Sequence, residues 1–112
     1  MIIYHNPRCS KSRQALGLLK ENGEEPDVIE YLKEPLGQAE LEGLLKKLKV
    51  PAHDLLRVKE DEYSELGLSP DTPAEDILTA IALNPILLER PIVVKGRKAV
   101  IARPPKLVED LL

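Results

Sequence analysis

The sequence predicts an α/β protein built on one four-stranded mixed β-sheet. A short apolar strand is followed by a helix of about a dozen residues and a second strand, the order in which parallel strands are connected. The middle of the chain carries only helical patterns. Two apolar runs joined by a glycine-containing turn then predict a β-hairpin, and a final helix follows.

The N-terminal part of the chain is a predicted strand–helix–strand unit. Residues 1–4 form the apolar strand, and the helix begins at about Ser10. Gly23 ends it, because glycine readily takes the left-handed conformation that follows a helix. The second strand is predicted over residues 27–32, which implies parallel pairing with the first.

The middle of the chain is predicted to be helical. Leucines recur at the i, i+3, i+4 and i+7 spacing of an amphipathic helix. The four leucines are Leu41, Leu44, Leu45 and Leu48. Short helical pieces are expected over residues 52–68. Another helix is predicted to start at a capping box of Thr72, Pro73 and Glu75, and to stop at Asn84, which precedes a proline.

Strands at residues 91–94 and 99–102 form the predicted hairpin, and the last helix follows Arg103. This order of elements is that of a thioredoxin-like fold with a helical insertion at about residues 37–84. The chain has 112 residues, 43% of them hydrophobic, which suits a single domain over residues 1–112.

Composition excludes several classes of function. A net charge of −3 argues against a general nucleic-acid-binding or membrane-surface protein, although a small anion site remains compatible with it. No apolar run reaches the roughly 18 residues of a membrane span, and no basic leader precedes an apolar stretch. The one cysteine cannot form an internal disulfide, so we expect a reducing cytoplasm. A monomer is the expectation for a chain of this size.

Cys9 is the principal candidate for chemistry. It falls at the junction of the first strand and the first helix, where free backbone N–H groups and the positive end of the helix dipole would face the thiol. Its neighbours Arg8, Ser10 and Lys11 are polar or basic, which favours a reactive thiolate over a small buried hydrophobic residue. The same position would suit a bound anion.

Ser12 and His5 lie close to Cys9 in the sequence. Ser12 stands where dithiol redox proteins have their second cysteine, so an adduct of Cys9 would have to be discharged by an external thiol. Glutathione and a glutaredoxin-type partner are the natural candidates. Ser12 is also a good first-turn residue of a helix. His5 could support the thiolate or have a structural role in the loop. With one cysteine and two histidines, no metal site and no bound cofactor are predicted.

Three arginines lie at the boundaries of apolar elements: Arg57, Arg90 and Arg103. The planar guanidinium group binds oxyanions through two parallel hydrogen bonds. If the three converge, they would form a site for a tetrahedral anion. The spacing alone is equally compatible with three unrelated surface ion pairs.

Three stretches of the sequence match a known family: the loop of residues 5–9, the segment of residues 89–94 and the Arg-Pro pair at residues 103–104. Through them the chain resembles the glutaredoxin-dependent arsenate reductases. The resemblance covers essentially the whole chain in order. It implies a thioredoxin-like fold with a helical insertion, and a reaction in which arsenate is reduced to arsenite with glutathione as co-substrate and glutaredoxin as partner.

The resemblance also implies roles for individual residues. Cys9 corresponds to the nucleophile that forms a thiol–arsenic adduct, and His5 to the loop histidine that favours the thiolate. Pro91 corresponds to a cis-proline facing the nucleophile, so we expect a cis peptide bond before it. The substrate-binding residues assigned here are Arg57, Arg90, Arg103 and Ser12.

Two other functions remain open at this point. The first is a general glutathione-dependent thiol reductase, in which the anion site would hold a carboxylate of glutathione. The second is a redox-linked regulator that binds RNA polymerase. Regulators of that kind resemble this chain but use a Cys-x-x-Cys switch, which Ser12 removes here, so this alternative ranks lower.

Overall fold

The computed structural model describes all 112 residues, which fall into two compact units. The first unit consists of residues 1–34 and 90–112 and contains the β-sheet. The second unit, Pro35–Glu89, is helical. No helix in the chain combines the length and the apolar character needed to cross a bilayer.

The sheet of the first unit has four strands in the order β2-β1-β3-β4. The strands are β1 (Ile2–His5), β2 (Asp27–Glu30), β3 (Ile92–Lys95) and β4 (Lys98–Ile101). β1 pairs with β2 in parallel and with β3 in the antiparallel sense, and β3 and β4 are antiparallel. The predicted four-stranded mixed sheet is therefore confirmed.

The register brings the ends of several strands together at one end of the sheet. His5 at the end of β1 is paired with Glu30 at the end of β2. β3 runs in the opposite direction, so its first residue, Ile92, lies opposite Tyr4. Ile92 also pairs with Ile101, the last residue of β4. The segments that follow β1, β2 and β4, and the segment that precedes β3, consequently share this end of the sheet.

One face of the sheet is covered by α1 (Ser10–Glu21) and by a 3₁₀ helix at Pro105–Leu111. Their buried side chains form one apolar cluster with those of the sheet. The cluster consists of Ile3, Ala15, Leu19, Val93, Ala102, Val108 and Leu111. Gly23 has a φ of 80°, so the predicted left-handed ending of α1 is confirmed. The final helix, in contrast, is of the 3₁₀ type.

The second strand is shorter than predicted. β2 ends at Glu30, whereas the sequence pattern extended it to residue 32. The backbone N–H groups of Lys33 and Glu34 both donate to the Glu30 carbonyl at 2.9 Å, which turns the chain away from the sheet. Tyr31 is fully buried although it lies outside the strand, and this explains the apolar signal there.

The second unit contains three α-helices and two 3₁₀ helices. They are α2 (Gln38–Leu48), a 3₁₀ helix at Ala52–Leu55, α3 (Asp61–Glu65), α4 (Ala74–Leu83) and a 3₁₀ helix at Pro85–Leu87. The predicted stripe of α2 buries Leu41, Leu44 and Leu48. An isolated antiparallel bridge joins Leu56 to Leu88.

The predicted capping box at the start of α4 is wrong. The Thr72 hydroxyl accepts the Ser69 N–H at 2.9 Å and closes the preceding turn, so it does not cap the helix. Pro73 has an extended backbone and occupies the N-cap position, and the helix begins one residue later at Ala74. The predicted stop is confirmed, since α4 ends at Leu83.

Candidate active site

Cys9 occupies the N-cap position of α1. Its carbonyl accepts the Arg13 N–H at 3.0 Å, the first hydrogen bond of the helix, and its own N–H donates to the Asn6 carbonyl at 3.0 Å. Its backbone is extended, and the residue is partly exposed. The thiol therefore lies at a helix N-terminus, as predicted, where unpaired N–H groups favour negative charge.

The surroundings of the thiol favour its ionised form. Partial burial raises the pKa of Cys9, but other contacts outweigh this effect. The backbone N–H of Ser12 donates to the sulfur, and the positive charge of Arg90 lies close to it. The Lys11 N–H and a hydrogen bond from the Arg90 side chain act in the same direction. The net result is a pKa below the ordinary value, which increases the thiolate fraction at neutral pH.

Arg90 and Arg103 are brought together by the pairing of β3 with β4. The Ala102 N–H donates to the Pro91 carbonyl at 2.9 Å, and Nη1 of Arg103 donates to the Arg90 carbonyl at 3.1 Å. The Arg90–Pro91 peptide bond is cis, in agreement with the expectation from the sequence. The Arg103–Pro104 bond is cis as well, which was not predicted from the sequence. The Arg90 guanidinium is therefore beside the thiol, and Arg103 is hydrogen-bonded to the Arg90 backbone. The roles of both arginines as oxyanion ligands stay predictions.

His5 and Ser12 belong to a buried hydrogen-bond network under the Cys9 loop. The Ser12 side chain is fully buried, with its Oγ 2.6 Å from Nδ1 of His5. The same Oγ accepts the Asn6 N–H at 3.1 Å. We assign the hydroxyl as the donor and Nδ1 as the acceptor, because His5 Nδ1 is the acceptor within hydrogen-bond distance of the hydroxyl proton.

The His5 imidazole is accordingly held neutral. Burial lowers the pKa of His5 most strongly, the Glu30 carboxylate opposes this effect, and the positive charges of Arg13 and Lys20 add to it. His5 is linked to Cys9 through Ser12, whose backbone N–H donates to the thiol. Its support of the thiolate stays a prediction, as does the assignment of Ser12 to substrate binding. The group that Ser12 directs at the sulfur is its N–H.

Ser12→Ala is expected to destabilise the protein by about 1–3 kcal/mol, because it leaves Nδ1 of His5 and the Asn6 N–H buried without a partner. Chemical denaturation measures the change in the free energy of unfolding. Ser10→Ala is the matched control on the same helix, since Ser10 is exposed and makes no capping bond. Equal losses for both variants would contradict the proposed importance of the network.

The pKa of His5 also predicts a dependence of stability on pH. Because the folded-state pKa is lowered, the unfolded chain binds the proton more readily, and stability is lost as the pH falls below about 6.5. The slope for one proton is at most about 1.4 kcal/mol per pH unit. Urea denaturation over a pH series should show a flatter dependence for His5→Gln. Identical slopes in the variant and the parent would count against this interpretation.

Asn6 organises the loop and was missed as a functional residue. Its Oδ1 accepts the Arg8 N–H at 3.0 Å, its carbonyl accepts the Cys9 N–H, and its own N–H donates to Ser12. An asparagine that bonds to the backbone two residues further on is a common turn former. The Asn-Pro pair ahead of a helix was therefore the available signal.

Arg57 lies in the second unit. Its Nη2 is 2.7 Å from Oε1 of Glu60, and both side chains are largely buried. Its backbone N–H donates to the Leu87 carbonyl at 2.8 Å, next to the bridge between residues 56 and 88. Its role as an oxyanion ligand stays a prediction. No group of three or more His, Cys, Asp and Glu side chains in the chain is arranged to hold a metal ion.

The ArsC family model matches residues 4–111 of the sequence. The chain belongs to the ArsC family. An arsenate reductase from Neisseria meningitidis serogroup A is 47% identical to this ArsC-family chain over 98% of its length and 96% of the relative. The uncharacterised protein YfgD of Escherichia coli K12 is 52% identical, over 98% and 94% of the two chains.

A solved structure of an arsenate reductase from Vibrio cholerae has the same fold. It superposes with a TM-score of 0.95 at 41% identity and covers 99% of this chain and 96% of its own. The resemblance drawn from the loop of residues 5–9 and the two arginine–proline segments is confirmed, and so is the thioredoxin-like fold of this ArsC-family protein.

Proposed function

We propose that this protein is an arsenate reductase that uses Cys9 as the nucleophile and external thiols as the reductant. The observation that carries the proposal is the position of the Cys9 thiol at the start of α1. There the thiol accepts hydrogen bonds from the Ser12 N–H and the Arg90 guanidinium. Membership of the ArsC family and 47% identity to an arsenate reductase support it. A thiolate beside a cationic hydrogen-bond donor suits attack on a bound oxyanion.

The proposed reaction has three steps. The Cys9 thiolate attacks the arsenic of arsenate, and an oxygen leaves as water to give a thiol–As(V) adduct. A glutathione thiolate then attacks the Cys9 sulfur of the adduct, the electron pair of the sulfur–arsenic bond passes to arsenic, and arsenite leaves. A mixed disulfide of Cys9 and glutathione remains. A glutaredoxin thiolate then attacks the glutathione sulfur of this disulfide, which transfers the glutathione to glutaredoxin and releases Cys9 as a thiolate.

The cysteine content supports reduction from outside the protein. Cys9 is the only cysteine, so no second thiol in the same chain can resolve the adduct. Ser12 occupies the position of a resolving cysteine, and its hydroxyl is buried against His5. The reaction would therefore require a compartment with reduced glutathione, for which we propose the cytoplasm.

The proposed function is tested by measuring arsenite produced from arsenate with the purified protein, glutathione and glutaredoxin. We expect repeated turnover only when all three are present. Without glutathione no arsenite above the blank should form, and without glutaredoxin the reaction should stop after a single turnover, because arsenite leaves before the glutaredoxin step. No arsenite above the blank, together with reduction of a glutathione mixed disulfide, would overturn the proposal. That result would favour the general thiol reductase, in which Arg90 and Arg103 bind a carboxylate.

A further inference from the structure

A cavity of about 230 Å³ adjoins the Cys9 loop on the side of β2. Residues 5–8 form one wall, and Glu30, Leu32 and Lys33 form the other. The two walls meet because β1 and β2 are parallel and end side by side, with His5 paired to Glu30. The wall formed by residues 5–8 leads directly to Cys9, the next residue in the chain.

The polar groups of the loop wall are hydrogen-bond donors. His5 is only 6% exposed, and with Nδ1 assigned as the acceptor from Ser12, the imidazole proton is placed on Nε2. Asn6 has its Oδ1 occupied by the Arg8 N–H, which leaves its Nδ2 group as the donor. Both residues line the cavity. Such donors match the oxygens of a carboxylate or an amide.

The charges around the cavity favour an anion. Arg8 and Lys33 are cationic, and Glu30 is the one carboxylate among the lining residues. Nζ of Lys33 is 3.6 Å from Oε1 of Glu30, and their side chains are 78% and 39% exposed, so this ion pair is weak and easily rearranged. Leu32 adds an apolar surface that is 41% exposed.

We infer that this cavity binds the carboxylate-bearing glycine arm of glutathione while the glutathione sulfur reacts at Cys9. The inference rests on the proposed function, in which glutathione is the co-substrate. In glutathione the glycine directly follows the cysteine, so it extends about 3.3–3.6 Å beyond it along the chain. The cavity wall ends at residue 8, directly before Cys9, so the glycine of a glutathione bound at Cys9 is close enough to enter the cavity. Pockets for whole drug-sized ligands measure about 300–1,000 Å³, so about 230 Å³ suits one arm of the tripeptide.

The test uses oxidised glutathione and requires no arsenate. The Cys9 thiolate attacks one sulfur of the disulfide and the sulfur–sulfur bond breaks. One glutathione leaves as its thiolate, and the other remains bound to Cys9 as a mixed disulfide. Mass spectrometry measures the rate of this step. The rate of the corresponding reaction with uncharged 2-hydroxyethyl disulfide measures the intrinsic reactivity of Cys9. The rate with oxidised glutathione divided by the rate with 2-hydroxyethyl disulfide therefore isolates the recognition of glutathione.

Lys33→Glu is expected to lower this ratio about fivefold, and the Arg8→Ala/Lys33→Glu double variant about tenfold or more. Lys33 is highly exposed, so the substitutions should leave the fold intact. Lys98→Glu is the matched control, because Lys98 is exposed in the hairpin and does not line the cavity. It makes the same change in net charge as Lys33→Glu and should leave the ratio unchanged.

An unchanged ratio in the double variant would overturn the inference. The inference would also be overturned if Lys98→Glu lowered the ratio as much as Lys33→Glu does. These outcomes are independent of arsenate. If arsenite forms normally but the ratio is unchanged, only the glutathione subsite is refuted. If no arsenite forms but the ratio falls as expected, the subsite is supported and arsenate reduction is not.

Discussion

Cys9→Ser is expected to reduce arsenite production to the rate of the reaction without protein. A serine hydroxyl is almost entirely protonated at neutral pH and cannot replace the thiolate as the attacking group. Cys9 is the only cysteine, so the variant contains no thiol that could form the arsenic adduct or the mixed disulfide with glutathione. Arsenite measured under saturating glutathione and glutaredoxin gives the result directly.

The fold should survive this substitution. Cys9 is partly exposed, and its backbone makes the hydrogen bonds that start α1 and close the loop. Circular dichroism and a denaturation midpoint close to that of the parent would show that activity was lost through chemistry alone. Arsenite production by folded Cys9→Ser above the blank would exclude Cys9 as the nucleophile.

Arg90→Ala is expected to lower kcat/KM for arsenate by about 10- to 100-fold. The guanidinium donates to the Cys9 sulfur and contributes positive charge beside it. A hydrogen bond to a charged group typically contributes about 1.5–3 kcal/mol, which corresponds to that range of rates. The substitution should also raise the pKa of Cys9, so part of the activity should return at higher pH.

Two further variants separate charge from geometry. Arg90→Lys retains the charge but loses the planar pair of donors, so its activity should fall between that of Arg90→Ala and that of the parent. Arg97→Ala removes an exposed arginine from the hairpin turn between β3 and β4 and should have little effect. Equal losses in Arg97→Ala and Arg90→Ala would indicate a general effect of net charge and contradict a local role for Arg90.

The fold was largely predictable because its patterns are local. The leucine stripe of α2 and the glycine that ends α1 act within a few residues, and both predictions are confirmed. Predictions failed where a distant or competing contact decided the structure. Thr72 had the right residue type for a helix cap, but its hydroxyl bonds to Ser69 instead. Tyr31 looked like a strand residue because it is buried, although the strand has already ended.

The site was less predictable because it depends on the pairing of strands that are distant in sequence. Residue types and the resemblance selected Cys9 and Arg90, but their contact follows from the register of β1 and β3. The buried network was also not readable from composition. His5 and Ser12 are seven positions apart and meet because the loop between them folds back through the backbone bonds of Asn6.

Titration of the Cys9 thiolate by its ultraviolet absorbance, with and without sulfate as an unreactive oxyanion, tests the central claim most directly. We expect a pKa below the ordinary value of about 8.5. We also expect bound sulfate to raise this pKa, because the anion offsets the charge of Arg90, and Arg90→Ala to lose this response. A pKa at or above about 8.5 that sulfate does not change would contradict a thiolate poised beside an oxyanion site.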